Sequence, residues 1–252
     1  MRGGHDTVCG CFPTGRHYPG IADRIARAVV MVQGLARELD GSTPWMRAPL
    51  AVVDFETTGL DPEQDRVLEV GLVLLDRGQL TGRHNFLVNP GIPVPEEARK
   101  VHGITDEELS SAPSFEDVAN EVLGLLAGRV PVAYNADFDR KFLVAEFGRI
   151  GSALAEEPPP ALRQDVIWID PLVWVREMQK YEKGKRLVDV CARLGIPLET
   201  AHRASGDAEA TSRVLLALGK DMPVTYGELI RIQSQYAAQQ EAELQGWRSR
   251  RT

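Results

Sequence analysis

The sequence predicts an α/β protein with a mixed five-stranded sheet flanked by helices and helical extensions at both ends. Three observations carry this. Apolar, β-branched runs of strand length, bounded by turn residues, come first from Leu50 onward. Segments of helical period follow them. The order is three strands, helix, strand, helix, strand, helices, which fits a layered sheet with some parallel pairing.

Residues 1–46 form an extension. The first twenty lack periodicity. Ile21, Ile25, Val29, Val32, Leu35 and Leu39 then fall on one stripe, so an amphipathic helix is expected before the breaker "GSTP". "LAVVDFE", "RVLEVGLVLLD" and "RHNFLVNP" are the first three strands, and their short links favour an antiparallel meander. Thr105 with Glu108, and Ser114 with Asp117, mark two capped helix starts. "VPVAYN" is the fourth strand and "DFDRKFLVAEFGRIG" the helix after it. "DVIWID" is the fifth, followed by helical "PLVWVREMQKY". "RLVDVCARLG" and "DAEATSRVLLALGK" are two more helices, and the tail from Asp221 is a polar helix with a basic end. The expected division is an extension over 1–46, a main domain over 47–220 and a helical tail over 221–252.

Of 252 residues, 43% are hydrophobic, enough for one core of about 150–200 residues plus appendages. The net charge of −7 argues against a protein that coats duplex DNA by neutralising phosphates. It does not exclude a nuclease whose metal ions supply local positive charge. Cys9, Cys11 and Cys191 cannot form a disulfide framework, so a reducing cytoplasm is the expected compartment. "AVVMV" is too short for a signal-peptide core or a membrane span, and no membrane association is expected.

Asp54 and Glu56 pose the central question. Side chains two apart on a strand point the same way, so these carboxylates share a face and repel each other. A solvated strand face would tolerate that, but Ala51, Val52, Val53 and Phe55 leave no alternation, and the strand should be buried on both faces. Buried carboxylates need a cation. No Lys or Arg lies between Leu50 and Gln64, so a bound metal is the natural candidate.

Two weaker signals accompany this one. Asp137 and Asp139 open a helix directly after a strand, where acids serve as caps and where α/β sheets also assemble sites. Asp207 opens another helix, with His202 five residues before it in a loop. A loop histidine is the side chain best suited to accept a proton near neutrality.

D-x-E on the first strand, N-x-x-F-D after the fourth and H-x-x-x-x-D opening a late helix together resemble the DEDDh family of 3′–5′ exonucleases. "DFETTGLDPEQDRVLEVG", "FLVNPGIPVPEEARKVHGITDEEL", "PSFEDV" and "GKRLVDVCARLGIP" resemble its epsilon-type proofreading branch, and the likeness runs from Ala51 to Leu218. It implies a ribonuclease-H-like sheet and two divalent ions, Mg²⁺ or Mn²⁺, held by Asp54, Glu56, Asp139 and Asp207, with His202 as the base. Asp137 is left to helix capping or a supporting role. Tyr134 stands where epsilon-like members often have His, and an effect on packing or substrate contact is expected there.

Under this resemblance, Thr57, Thr58, Gly59 and Asn135 are candidate contacts to the last nucleotide. Leu60 either wedges between terminal bases or packs in the core. His102 either approaches the 3′ end or holds a turn. Arg140, Lys141, Lys183–Arg186 and Arg203 are cations near the motifs, available to phosphates or simply solvated. The expected substrate is a single-stranded or frayed 3′ end, DNA favoured, in replication proofreading or repair, with a DNA polymerase subunit as candidate partner. The alternatives are an exoribonuclease, distinguished by 2′-OH recognition, and a non-catalytic binding module, against which the intact acids argue.

Overall fold

A computed structural model of the protein describes residues 33–151, 158–198 and 202–250. Strands β1 (Leu50–Thr57), β2 (Val67–Asp76) and β3 (Gln79–Leu87) form the expected antiparallel meander, and β4 (Val130–Val132) pairs parallel to β1. The order is β3-β2-β1-β4, so β1 and β2 are central. Between β2 and β3, Arg77 and Gly78 both have positive φ, as a two-residue hairpin turn matched to strand twist requires.

The sheet has four strands, not five. The segment expected as the fifth is reduced to one parallel bridge, in which Ile169 donates to Pro131 O and Ala133 donates to Ile169 O. The ladder stops on both sides for identifiable reasons. Ile167 turns its N–H to Gly34 O instead, and Asp170-Pro171 starts a helix.

Eight helices are described: α1 (Glu96–His102), α2 (Asp106–Leu109), α3 (Phe115–Leu126), α4 (Ala136–Arg149), α5 (Pro171–Met178), α6 (Leu187–Leu194), α7 (Ala204–Leu218) and α8 (Tyr226–Arg248). Thr105 caps α2 and Ser114 closes a full capping box on α3, as expected. Helix α1 is not anticipated by the sequence reading, since its seven residues start after a proline-rich loop. No helix among the described residues is long and apolar enough to cross a membrane.

The expected helix over Ile21–Leu39 falls largely outside the described residues. Its described end is not helical: Gly34 has φ +82° and bridges Val166, and 35–40 form a turn. Leu35 and Ala36 are buried there, and Ala36 donates its N–H to the Tyr226 hydroxyl.

Apolar residues fill both faces of the sheet, as a strand flanked by helices demands. Ala51, Val53 and Phe55 of β1 join Phe115, Phe142 and Phe147 of α3 and α4 on one face. Leu50 and Val52 join Trp174, Val190, Val214 and Ile230 of α5 to α8 on the other. Helix α8 starts inside this core. Its Gln233 accepts from Asp170 N and Trp174 Nε1 and donates to Trp168 O, while its later turns are largely exposed.

Candidate active site

The alternation of β1 decides where its acids point. Ala51, Val53 and Phe55 take the α3/α4 face, so Asp54 and Glu56 take the face covered by α7. Helix α7 can come close because Gly71, the cross-strand partner of Asp54, has no side chain. A Cβ on Gly71 would lie 2.1 Å from the carbonyl carbon of Ala204, at the first residue of α7. Asp207 sits in that first turn.

Asp139 arrives from the other side. Strand β4 pairs with β1 only as far as Val52, after which Asn135, at φ +72°, turns the chain into α4. The edge of β1 is therefore open beyond Val52, and the Phe55 N–H donates to Asp139 Oδ1 at 3.1 Å. Asp170 holds this turn by accepting the N–H groups of Asn135 and Ala136, each at 3.1 Å, while capping α5 through Leu172 N.

The carboxylates act on one another. Burial raises the Asp54 pKa well above its ordinary value, and the charges of Asp139, Asp207, Glu56 and Glu69 raise it further. Glu56 is pushed up to about 8 by burial and then by Asp207 and Glu69, with Arg203 opposing. Burial raises Asp139 against the Phe55 N–H, and raises Asp207 against the His202 N–H that it accepts at 3.0 Å. A ligand atom from each of Glu56, His202 and Asp207 lies within 4.8 Å of the others. Four carboxylates held this way are short of positive charge, and their hard oxygen donors suit a divalent cation.

The remaining expected residues divide. Thr57 and Thr58 are buried, and Thr58 is tied into its loop, its N–H to Arg66 O and its hydroxyl to Asp65. A Cβ on Gly59 would meet the Asp65 carboxylate at 2.4 Å, so a larger residue there must displace a side chain that accepts from Thr58 and Asp61. Leu60 is 84% exposed and does not pack in the core. His102 is buried and closes α1, its Nδ1 accepting the Ile104 N–H at 3.0 Å. That leaves Nε2 to carry the proton of the neutral ring, buried and without a hydrogen bond of ordinary geometry, and burial lowers the imidazole's pKa against the smaller opposing pull of Glu69 and the Thr57 carbonyl. Asp137 does not cap α4 with its side chain. It is exposed and pairs with Lys141, favourable in a first helical turn all the same. Tyr134 packs against the core and donates its hydroxyl to Lys185 O. Of the candidate cations, Arg140 donates to Gln164 O, Arg186 pairs with Asp189 and Arg203 pairs with Glu69.

Two acids escape the sequence reading. Glu69 carries the same signal as Asp54, an acid inside an apolar strand. Asp170 is legible as the cap of α5, but its hold on the start of α4 is not.

Residues 51–215 match the exonuclease family of RNase T type. The chain is 32% identical over 185 residues to the PolC-type DNA polymerase III of Thermotoga petrophila, covering 73% of this chain and 13% of that relative's length. It is 34% identical over 172 residues to the DNA polymerase III epsilon subunit of Rickettsia prowazekii, covering 66% of this chain and 72% of that protein. The zinc-bound complex of E. coli exonuclease I with single-stranded DNA shares the fold, with a TM-score of 0.61 at 21% identity, over 70% of this chain and 41% of that one.

Proposed function

The chain belongs to the RNase T-type exonuclease family, and on that premise we propose that it is a metal-dependent 3′–5′ exonuclease acting on the 3′ ends of DNA and releasing nucleoside monophosphates. What supports this is the electrostatic coupling of four acids from β1, α4 and α7, with ligand atoms of Glu56, Asp207 and the exposed His202 within 4.8 Å of one another.

Asp54, Glu56, Asp139 and Asp207 would hold two divalent ions, Mg²⁺ or Mn²⁺. Such ions, when bound, balance the four carboxylates and stabilise the charge that develops on a phosphodiester under attack. His202 accepts the proton of the attacking water, its ring close to Glu56 and Asp207. Leu60, exposed and four residues after Glu56 in sequence, would press on the terminal base. His102 would offer its Nε2–H, and Thr57, Thr58, Gly59 and Asn135 would contact the last nucleotide through their backbone and side-chain polar groups. Beside Asn135 a cavity of about 390 Å³ is bounded by Tyr134, Arg176, Lys185 and Arg186, and its basic rim suits the phosphates of the strand behind the terminal nucleotide. Work beside a DNA polymerase in proofreading or repair belongs to the same proposal.

The test uses 5′-labelled single-stranded DNA, a duplex with a mismatched 3′ end, and RNA, each with Mg²⁺, Mn²⁺ or EDTA. The expected result is stepwise shortening from the 3′ end, fastest on the unpaired DNA and abolished by EDTA. Internal cleavage, or turnover in EDTA, overturns the proposal. Faster shortening of RNA replaces the substrate with an RNA end.

A further inference from the structure

Glu56 and Glu69 lie directly opposite on β1 and β2, two acids of like charge on adjacent central strands. Only one is neutralised by the protein. Glu69 is fully buried and accepts four donors: Arg203 Nη2 at 2.6 Å, Arg203 Nε at 3.1 Å, Ala204 N at 2.9 Å and Asn85 Nδ2 at 2.8 Å. Arg203 Nη2 also reaches Glu108 at 3.5 Å. Glu56 is left with the site.

Three of the four donors to Glu69 come from the two residues that follow His202; the fourth is Asn85 on β3. The backbone at His202 is itself unusual, with φ +64° in a residue other than glycine, and its N–H is tied to Asp207. Two positions along β2, Gly71 lets the backbone of Ala204 settle onto the sheet. The exposed imidazole therefore takes its position from a backbone that the Glu69–Arg203 fork anchors. A bidentate guanidinium–carboxylate pair fixes direction as well as distance.

We propose that Glu69 and Arg203 are positioning residues for His202: the fork fixes the histidine's backbone in its strained turn and occupies Glu69, so that Glu56 alone of the opposed pair serves the metals. This rests on the proposed role of His202 as base.

The test is a double-mutant cycle on DNA turnover with saturating Mg²⁺, using Arg203→Ala, His202→Ala and the double variant, with kcat and KM separated. Arg203→Ala is expected to lower kcat about tenfold or more with KM within about twofold, and to cost less than about twofold in the His202→Ala background, because residues acting through one another are not additive. Guanidinium ion added to Arg203→Ala should restore part of kcat. Equal losses in both backgrounds, or a loss confined to KM, overturn the proposal. Wild-type turnover in His202→Ala instead overturns the role of the base, a different outcome. Glu69→Gln keeps the shape and one acceptor, and it is used if Arg203→Ala does not fold. It is expected to show the same loss in kcat alone, and unchanged kcat in a folded Glu69→Gln also overturns the proposal.

Discussion

Asp139 Oδ1 accepts the N–H of Phe55, so an acid on α4 completes the hydrogen bonding of the strand that carries Asp54 and Glu56. The same carboxylate is thus a structural acceptor and a member of the acidic cluster, and two substitutions separate these parts. Asp139→Asn keeps an oxygen for Phe55 and removes a charge that raises the Asp54 pKa. Its melting temperature in EDTA should equal or exceed wild type, while turnover falls more than about a hundredfold, beyond the cost of losing an outer-shell partner. Asp139→Ala leaves a buried N–H unpaired and should cost about 1–3 kcal/mol of stability as well. Thermal melts beside turnover check both.

The raised carboxyl pKa values set how stability depends on pH without metal. Glu56 titrates at about 8 when folded, against an ordinary value of 4.5. Between those values the folded state binds more protons than the unfolded state, so stability falls as pH rises. A tenfold difference in proton affinity between the two states is worth about 1.4 kcal/mol. In EDTA the melting temperature should therefore drop between about pH 5 and 8. Mg²⁺ or Mn²⁺ should raise it, and the metal's effect should grow with pH, since protons compete for the same oxygens. A melting temperature in EDTA that climbs over this range contradicts the assigned electrostatics.

Local chemistry made much of this legible in advance. Caps at Thr105 and Ser114, the alternation that places Asp54 beside Glu56, and the acids that open α4 and α7 are all readable within a few residues. What the sequence hides is long-range. Glu69 looks like Asp54 until Arg203, 134 residues away, is seen to neutralise it. Asp170 looks like a plain cap until α4 is seen to rest on it. "DVIWID" has the composition of a strand, but Ile167 gives its N–H to Gly34, and no local signal reports that diversion. Leu35 and Leu39 keep helical spacing in a segment that Gly34 turns.

Gly71→Ala tests how closely α7 must approach. A methyl group 2.1 Å from a backbone carbon cannot be absorbed by a flexible side chain, so α7 must shift or β2 must bend. Overpacking of this kind costs about 1–3 kcal/mol. Asp207 and His202 move with α7, so turnover should fall further than the loss of stability explains. Activity measured well below the melting temperature of the variant separates the two. Wild-type turnover in a folded Gly71→Ala protein would show that the Asp54–Asp207 spacing is not critical.

His202 has two chemical uses in this geometry, and metal affinity distinguishes them. Its ligand atom lies within 4.8 Å of those of Glu56 and Asp207, close enough for the three to share one ion. Its ring is exposed, and only its backbone N–H is tied to Asp207. A base at the rim needs contact with water and no bond to metal. His202→Ala should then bind Mn²⁺ with unchanged affinity by calorimetry while turnover falls by about 10²–10⁴. Metal affinity that falls in parallel with turnover would make His202 a ligand, and proton removal would pass to another group. Because carboxylate oxygens such as those of Asp54, Glu56, Asp139 and Asp207 are hard donors that suit Mg²⁺ or Mn²⁺, and imidazole is the softer ligand suited to zinc, unchanged Mn²⁺ affinity is the expected result of the proposed ligand set.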